Sequence, residues 1–239
     1  MPSSAPPPDS APSAAGVFVT GTGTEVGKTI VAALIARSAS LRGQQVRVFK
    51  PALSGLDDDA RSGQPPDHEL LRLAAHSPQD DHEIAPYRYG PAVSPHLGAE
   101  LASEPIDRSR LLAAAARARS DADFLVCEGV GGFLVPLRLD YLVRDFARDM
   151  ALPVVVAASP GLGTINHTLL TIESVRTAGL ELAAIALTPW PAEPALIERS
   201  NLDAINRVGG APVHTIPWID AAAPDTWPQL DLKFRRGSV

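Results

Sequence analysis

Nine residues, Gly21 to Thr29, read Gly-Thr-Gly-Thr-Glu-Val-Gly-Lys-Thr and combine the types that bind a triphosphate. Glycines let successive backbone N–H groups converge on phosphate oxygens, and a helix starting at the end of the run adds the positive end of its dipole. Lys28 can then reach the β- and γ-phosphates, and Thr29 can offer its hydroxyl to Mg²⁺. The strict phosphate-loop pattern places its first glycine where Thr22 stands; Gly21 lies one residue upstream, so the loop is a variant. The simpler alternative is a glycine-rich turn with a surface lysine. A cation at a helix N-terminus wants an anion, however, and that favours a nucleotide site.

Mg²⁺ on a triphosphate takes hard oxygen ligands beyond Thr29. Glu128 closes the apolar run 123–129, which places it at the sheet edge where ligands bind, and Asp67 begins the helical pattern 67–75. On its own, Asp67 reads equally well as a helix N-cap. Asp57, Asp58 and Asp59 read as a solvated loop. Gly129, Gly131 and Gly132 permit close backbone approach to a ligand. Lys50 ends the run 45–50 and is expected at the same edge, facing a carbamate or phosphate rather than snorkelling to solvent. Ser54 can donate a hydrogen bond in that pocket. Cys127 lies inside an apolar strand and reads as a core residue, and His96 and His167 lack partners at zinc-ligand spacing.

Alternating elements must carry these residues. Strand patterns occupy 16–20, 45–50, 123–129, 152–159, 180–188 and 212–216. Helical patterns occupy 29–41, 67–75, 108–120, 138–150, 165–178 and 193–207, and 79–106 reads as irregular because prolines interrupt it. This predicts an α/β fold with a doubly wound, mostly parallel sheet, P-loop NTPase-like, in a single domain over 16–239. Residues 1–15, rich in Pro, Ser and Ala, read as a disordered tail without a secretory signal. A net charge of −6 offers no surface for nucleic acid, no apolar run is long enough for a membrane span, and the single cysteine excludes an intramolecular disulfide. A cytoplasmic location is expected.

Together with the loop, the segments FKPALSG (49–55), EGVGGFLVPL (128–137), LGTINHTLLT (162–171) and IPW (216–218) follow the order and spacing of the dethiobiotin synthases. The chain is similar to that family from about Gly16 to Trp218. The resemblance implies a homodimer in biotin biosynthesis that uses ATP, Mg²⁺, 7,8-diaminononanoate and CO₂ or bicarbonate. One amine would trap CO₂ as a carbamate, ATP would phosphorylate it to a carbamic-phosphoric anhydride, and the second amine would close the ring. Lys50 and Lys28 would be catalytic. Glu25, Val26, Gly27, Lys28, Thr29 and Ile30 would hold ATP with Gly129, Val130 and Gly131, while Thr29, Asp67 and Glu128 surround Mg²⁺. Thr24 and Ser54 would contact diamine or carbamate. Gly163, Thr164 and Asn166 would hold the diamine's carboxylate across the dimer interface.

The base would lie near Thr188, Pro189, Pro217, Trp218 and Ile219. Many family members have an Asn-Asp pair where this chain has Thr188-Pro189. A hydroxyl cannot present an amide's paired donor and acceptor to a base edge, so another NTP is expected to substitute for ATP. Two rivals fit less well. Cobyrinic acid diamide synthases carry a glutaminase domain for which this chain has no room. Partner-regulated switch ATPases of the partitioning type carry a signature lysine where Thr20, Gly21 and Thr22 stand.

Overall fold

Strands that are apolar at nearly every position need cover on both faces, and one sheet with helices on either side supplies it. The computed structural model describes residues 15–58, 65–230 and 232; residues 1–14 of the expected tail 1–15 and Asp59 lie outside the described residues, while Ala15 opens the first strand. In chain order the strands are β1 (Ala15–Gly21), β2 (Val46–Phe49), β3 (Phe124–Gly132), β4 (Pro136–Arg138), β5 (Tyr141–Leu142), β6 (Val154–Ala158), β7 (Leu182–Trp190) and β8 (Val213–Pro217). The helices are α1 (Lys28–Leu41), α2 (Asp67–Ala75), α3 (Asp81–Ile84), α4 (Pro95–Leu101), α5 (Arg108–Ser120), α6 (Val143–Met150), α7 (Thr164–Thr177) and α8 (Leu196–Val208). Six strands make a sheet in the order β2-β3-β1-β6-β7-β8, all pairs parallel, and β4 and β5 form a separate antiparallel pair.

The winding reverses at β1. The chain leaves β1 through α1 for β2 on one side, returns to β3, then crosses to β6 on the other. Ligands of open α/β sheets bind at such a reversal, at the carboxyl ends of the strands, and here that is where Gly21 to Lys28 sit. Side-chain alternation divides the core. Val17 and Val19 of β1, Val46 and Val48 of β2, and Phe124 and Val126 of β3 face α1 and α2. Phe18, Phe49, Leu125 and Cys127 face the other way, toward Leu111 of α5 and Phe146 of α6. Strand β2 is an edge, and Gln79 closes part of it: its amide accepts from the Val48 N–H at 2.8 Å and donates to the Val48 carbonyl at 3.1 Å.

The largest departures from the expected elements lie in two stretches. The pattern over 138–150 becomes the β4–β5 pair followed by a helix from Val143 only, where the Asp145 carboxylate accepts the Leu142 N–H at 3.0 Å. The stretch 79–106 contains two short helices. Asp80 and Glu83 cap each other's backbone at the start of α3, and Pro95 is the first residue of α4, where a missing N–H costs nothing.

Candidate functional site

Parity along two strands brings the charged residues together. Phe49 pairs with Cys127, so Lys50 and Glu128 follow at the same level, two residues beyond Val48 and Val126 and on the α1 side of the sheet. Glu128 is not at a strand end as expected; β3 continues to Gly132, and the pocket opens because Lys50 lies beyond the end of β2. Asp67 arrives from above as the first residue of α2, with Pro66 in the N-cap position. The Lys50 ammonium donates to Asp67 and, at 2.7 Å, to Glu128 Oε1. Thr29 Oγ1 donates to the same Glu128 oxygen at 3.0 Å, while Lys28 Nζ donates across the loop to the Gly23 carbonyl at 2.8 Å.

Two of the loop's glycines, Gly21 and Gly27, are set by close approach. Gly27 has φ 82° in the left-handed region, and a Cβ there would collide with the buried Thr188. A Cβ on Gly21 would come within 2.6 Å of Val26 Cγ2 and 2.9 Å of Lys28 Cγ, which accounts for a glycine one position upstream of the strict pattern.

The electrostatics follow from burial. Removing Lys50 from water disfavours its charge, but the two carboxylates outweigh that and hold its pKa above the ordinary lysine value. Asp67 shows the mirror image: burial would raise it, yet Lys50 and the hydrogen bonds to it keep it below the usual carboxylate range. Glu128, fully buried, stays above that range because burial and the neighbouring Asp67 exceed the help from Lys50. Lys28 falls below the usual lysine value, chiefly through burial. Glu128 Oε2 is buried without a hydrogen-bond partner. A buried carboxylate oxygen left bare, beside a threonine hydroxyl and a second carboxylate, is the donor set a hard divalent cation takes.

These groups line a cavity of about 420 Å³. Its walls contain the expected Thr24, Glu25, Gly27, Lys28, Thr29, Ile30, Lys50, Ser54, Asp67, Glu128, Val130 and Gly131. Val26 instead turns its side chain into the core, and Gly129 packs against Val143 and Phe18. Thr188 lies beneath Gly27, while Pro189, Pro217 and Trp218 are exposed and Ile219 packs on the core; none of them lines the cavity. Gly163, Thr164 and Asn166 begin α7 after β6, away from the cavity, with Gly163 and Asn166 exposed and Thr164 buried. Sequence reasoning missed Leu53, Pro65, Leu70 and Ala221, apolar lining residues whose types carry no chemical signal. Cys127 is buried, and burial followed by the Glu128 charge pushes its thiol well up, as befits a core residue.

A family model described as an AAA domain matches residues 15–226. Among solved structures, chloroplast FtsY from Physcomitrella patens aligns with a TM-score of 0.50 at 14% identity, covering 94% of this chain and 64% of that one, a likeness of fold alone. The parallel sheet, the phosphate loop at its reversal point and the cluster beside it define a P-loop NTPase-like enzyme. Curated relatives narrow this further. The ATP-dependent dethiobiotin synthetase BioD of Parafrankia sp. (strain EAN1pec) is 39% identical over 82% of this chain and 81% of its own length. The proteins of that name from Bacillus licheniformis and Bacillus subtilis (strain 168) are 35% and 33% identical, over 87% and 83% of this chain and 88% and 84% of their own lengths. The chain belongs to the ATP-dependent dethiobiotin synthetases, a family of ligases. No helix among the described residues is long and apolar enough to cross a membrane.

Proposed function

We propose that the chain closes the cyclic urea of dethiobiotin from 7,8-diaminononanoate, CO₂ and ATP, with Mg²⁺. The observation that carries this reading is Lys50, a buried ammonium bonded to two carboxylates at the floor of a cavity whose other wall is the phosphate loop. Two anions, a carbamate and a γ-phosphate, must be held in contact, and cations fixed in advance offset their repulsion without reorganising during transfer.

In the first step an amine nitrogen of the diamine bonds to CO₂ and loses a proton, giving a carbamate. A carbamate oxygen then attacks the γ-phosphorus as the bond to the β-phosphate oxygen breaks and ADP leaves. The second amine attacks the carbamoyl carbon and loses a proton to solvent, phosphate departs with the electrons of the carbon–oxygen bond, and the ring is closed. Lys28 and the loop N–H groups hold the phosphate chain, and Lys50 neutralises the carbamate and the charge that develops in transfer. Thr24 and Ser54, on the same walls, contact diamine or carbamate. Thr29, Asp67 and Glu128 would hold Mg²⁺, which when bound neutralises the β- and γ-phosphate oxygens.

The carboxylate of the diamine is assigned to Gly163, Thr164 and Asn166 at the N-terminus of α7, where the positive end of the helix dipole favours an anion. A homodimer completes that end of the site, and the exposed Leu139 and Leu162 are apolar surface that a partner subunit would cover. The nucleotide base lies toward 217–221, and the Thr188-Pro189 departure implies that more than one NTP serves. The test is turnover with diamine, bicarbonate and a panel of NTPs, scored by cyclic urea and released phosphate. Phosphate release that needs both diamine and bicarbonate supports the reading; release indifferent to them sinks it.

A further inference from the structure

Beyond β8 the chain turns back along α1. Ala221 lines the nucleotide cavity, and Ile219, Ala221 and Leu230 pack on the apolar cluster that includes Val26 and the inner face of α1. Buried Trp227 and Leu232 belong to the same cluster. Among the described residues, the only regular structure in 218–232 is the 3₁₀ turn Pro224–Thr226, so this strap depends on side chains for its position. Trp227 Nε1 donates to the Asp220 carbonyl at 2.7 Å and closes the strap on itself. Arg37 Nε donates to the Pro224 carbonyl at 2.7 Å, and its Nη2 reaches Asp225 Oδ1 at 3.4 Å. The Leu230 N–H donates to the buried Ser38 Oγ at 2.9 Å.

Arg37 is only 12% exposed, and its position on α1, nine residues after Lys28, puts it about 14 Å along the helix from the phosphate loop. It does not line the cavity.

We propose that Arg37 is a positioning residue for the nucleotide: by fastening Pro224 to the flank of α1, it holds Ala221 as a fixed wall of the cavity. A strap already ordered does not have to be immobilised when the nucleotide enters, so its anchoring appears as affinity. The triphosphate is gripped by the loop at the start of α1, which Arg37 does not touch. Its effect therefore falls on the nucleoside part of the ligand. The inference rests on the reading that ATP fills this cavity with its base toward 217–221.

The experiment is calorimetric titration of Mg·ATP and of inorganic tripolyphosphate into the wild-type chain, Arg37→Ala and Arg37→Lys, with steady-state kinetics alongside. Arg37→Ala is expected to weaken ATP binding about tenfold, the scale of one lost hydrogen bond from a charged donor. Tripolyphosphate affinity, kcat and the KM for diamine stay unchanged, and Arg37→Lys, which keeps a donor on a long stem, recovers part of the loss. Equal weakening of ATP and tripolyphosphate, or unaltered ATP binding, overturns the proposal alone. Should Arg37→Ala fail to fold, Ser38→Ala, which deletes the acceptor for Leu230, must show the same selective loss. A wild-type chain that binds neither ATP nor tripolyphosphate overturns the underlying reading along with the proposal.

Discussion

Lys50 and Glu128 are 3% and 0% exposed and already bonded to one another, with Asp67 and Thr29 joined to them, whereas Trp218 and Leu162 stand 72% and 91% exposed at the outer flanks. The inner region brings several charges out of water, and such charges survive only when paired in good geometry. Its arrangement is therefore complete within one chain. The outer flanks, made of loops after β6 and β8, carry no such constraint. Chemistry is assigned to the region that cannot rearrange cheaply, and recognition of the carboxylate and base to the regions that can.

The sharpest way to break this contrast is Lys50→Gln. Loss of a cation fixed at the reacting groups should lower turnover by about 10²–10³-fold, with secondary structure by circular dichroism retained. Near-normal turnover would remove Lys50 from the chemistry. Next, Glu128→Gln should raise the Mg²⁺ concentration for half-maximal rate by about 10- to 100-fold, and an unshifted magnesium titration would take Glu128 out of the metal shell. On the outer flank, Asn166→Ala should raise the KM for diamine by up to about tenfold, one hydrogen bond to a charged group, while melting temperature stays put. An effect on ATP rather than diamine would reassign the α7 N-terminus.

The smallest effect concerns pH. Asp67 has a lowered pKa in the folded chain, so the stability it contributes is present above the ordinary aspartate value, 3.8, and disappears as pH falls through its folded value. Its side chain is 44% exposed, and solvent screening limits the contribution to roughly 1 kcal/mol or less. Asp67→Asn should thus melt slightly below wild type at pH 7 and converge with it in acid, where both side chains are neutral. A gap that persists in strong acid would mean that packing, not charge, ties α2 to Lys50.

Much of the inner region was legible from residue order alone. The phosphate loop, α1, the carboxylate that follows the apolar residues 124–127 and the lysine before Pro51 all follow from local pattern, because phosphate binding demands particular residues at fixed spacing. Boundaries were less legible where competing turn chemistry intervened, as when Asp145 delayed α6 and Pro95 began α4 rather than breaking it.

The sequence by itself determined the alternation of the main-sheet strands with their long helices, the phosphate loop and the family, since each is written in nearest-neighbour spacing. Only the tertiary structure decided that Lys50 bonds Asp67 and Glu128 together, that Thr188 sits under Gly27 and that Arg37 fastens a strap bordering the cavity. Those contacts join residues 17, 78, 161 and 187 positions apart. They exist because strand register and helix packing bring distant segments to one level of the sheet, and no local pattern encodes that register.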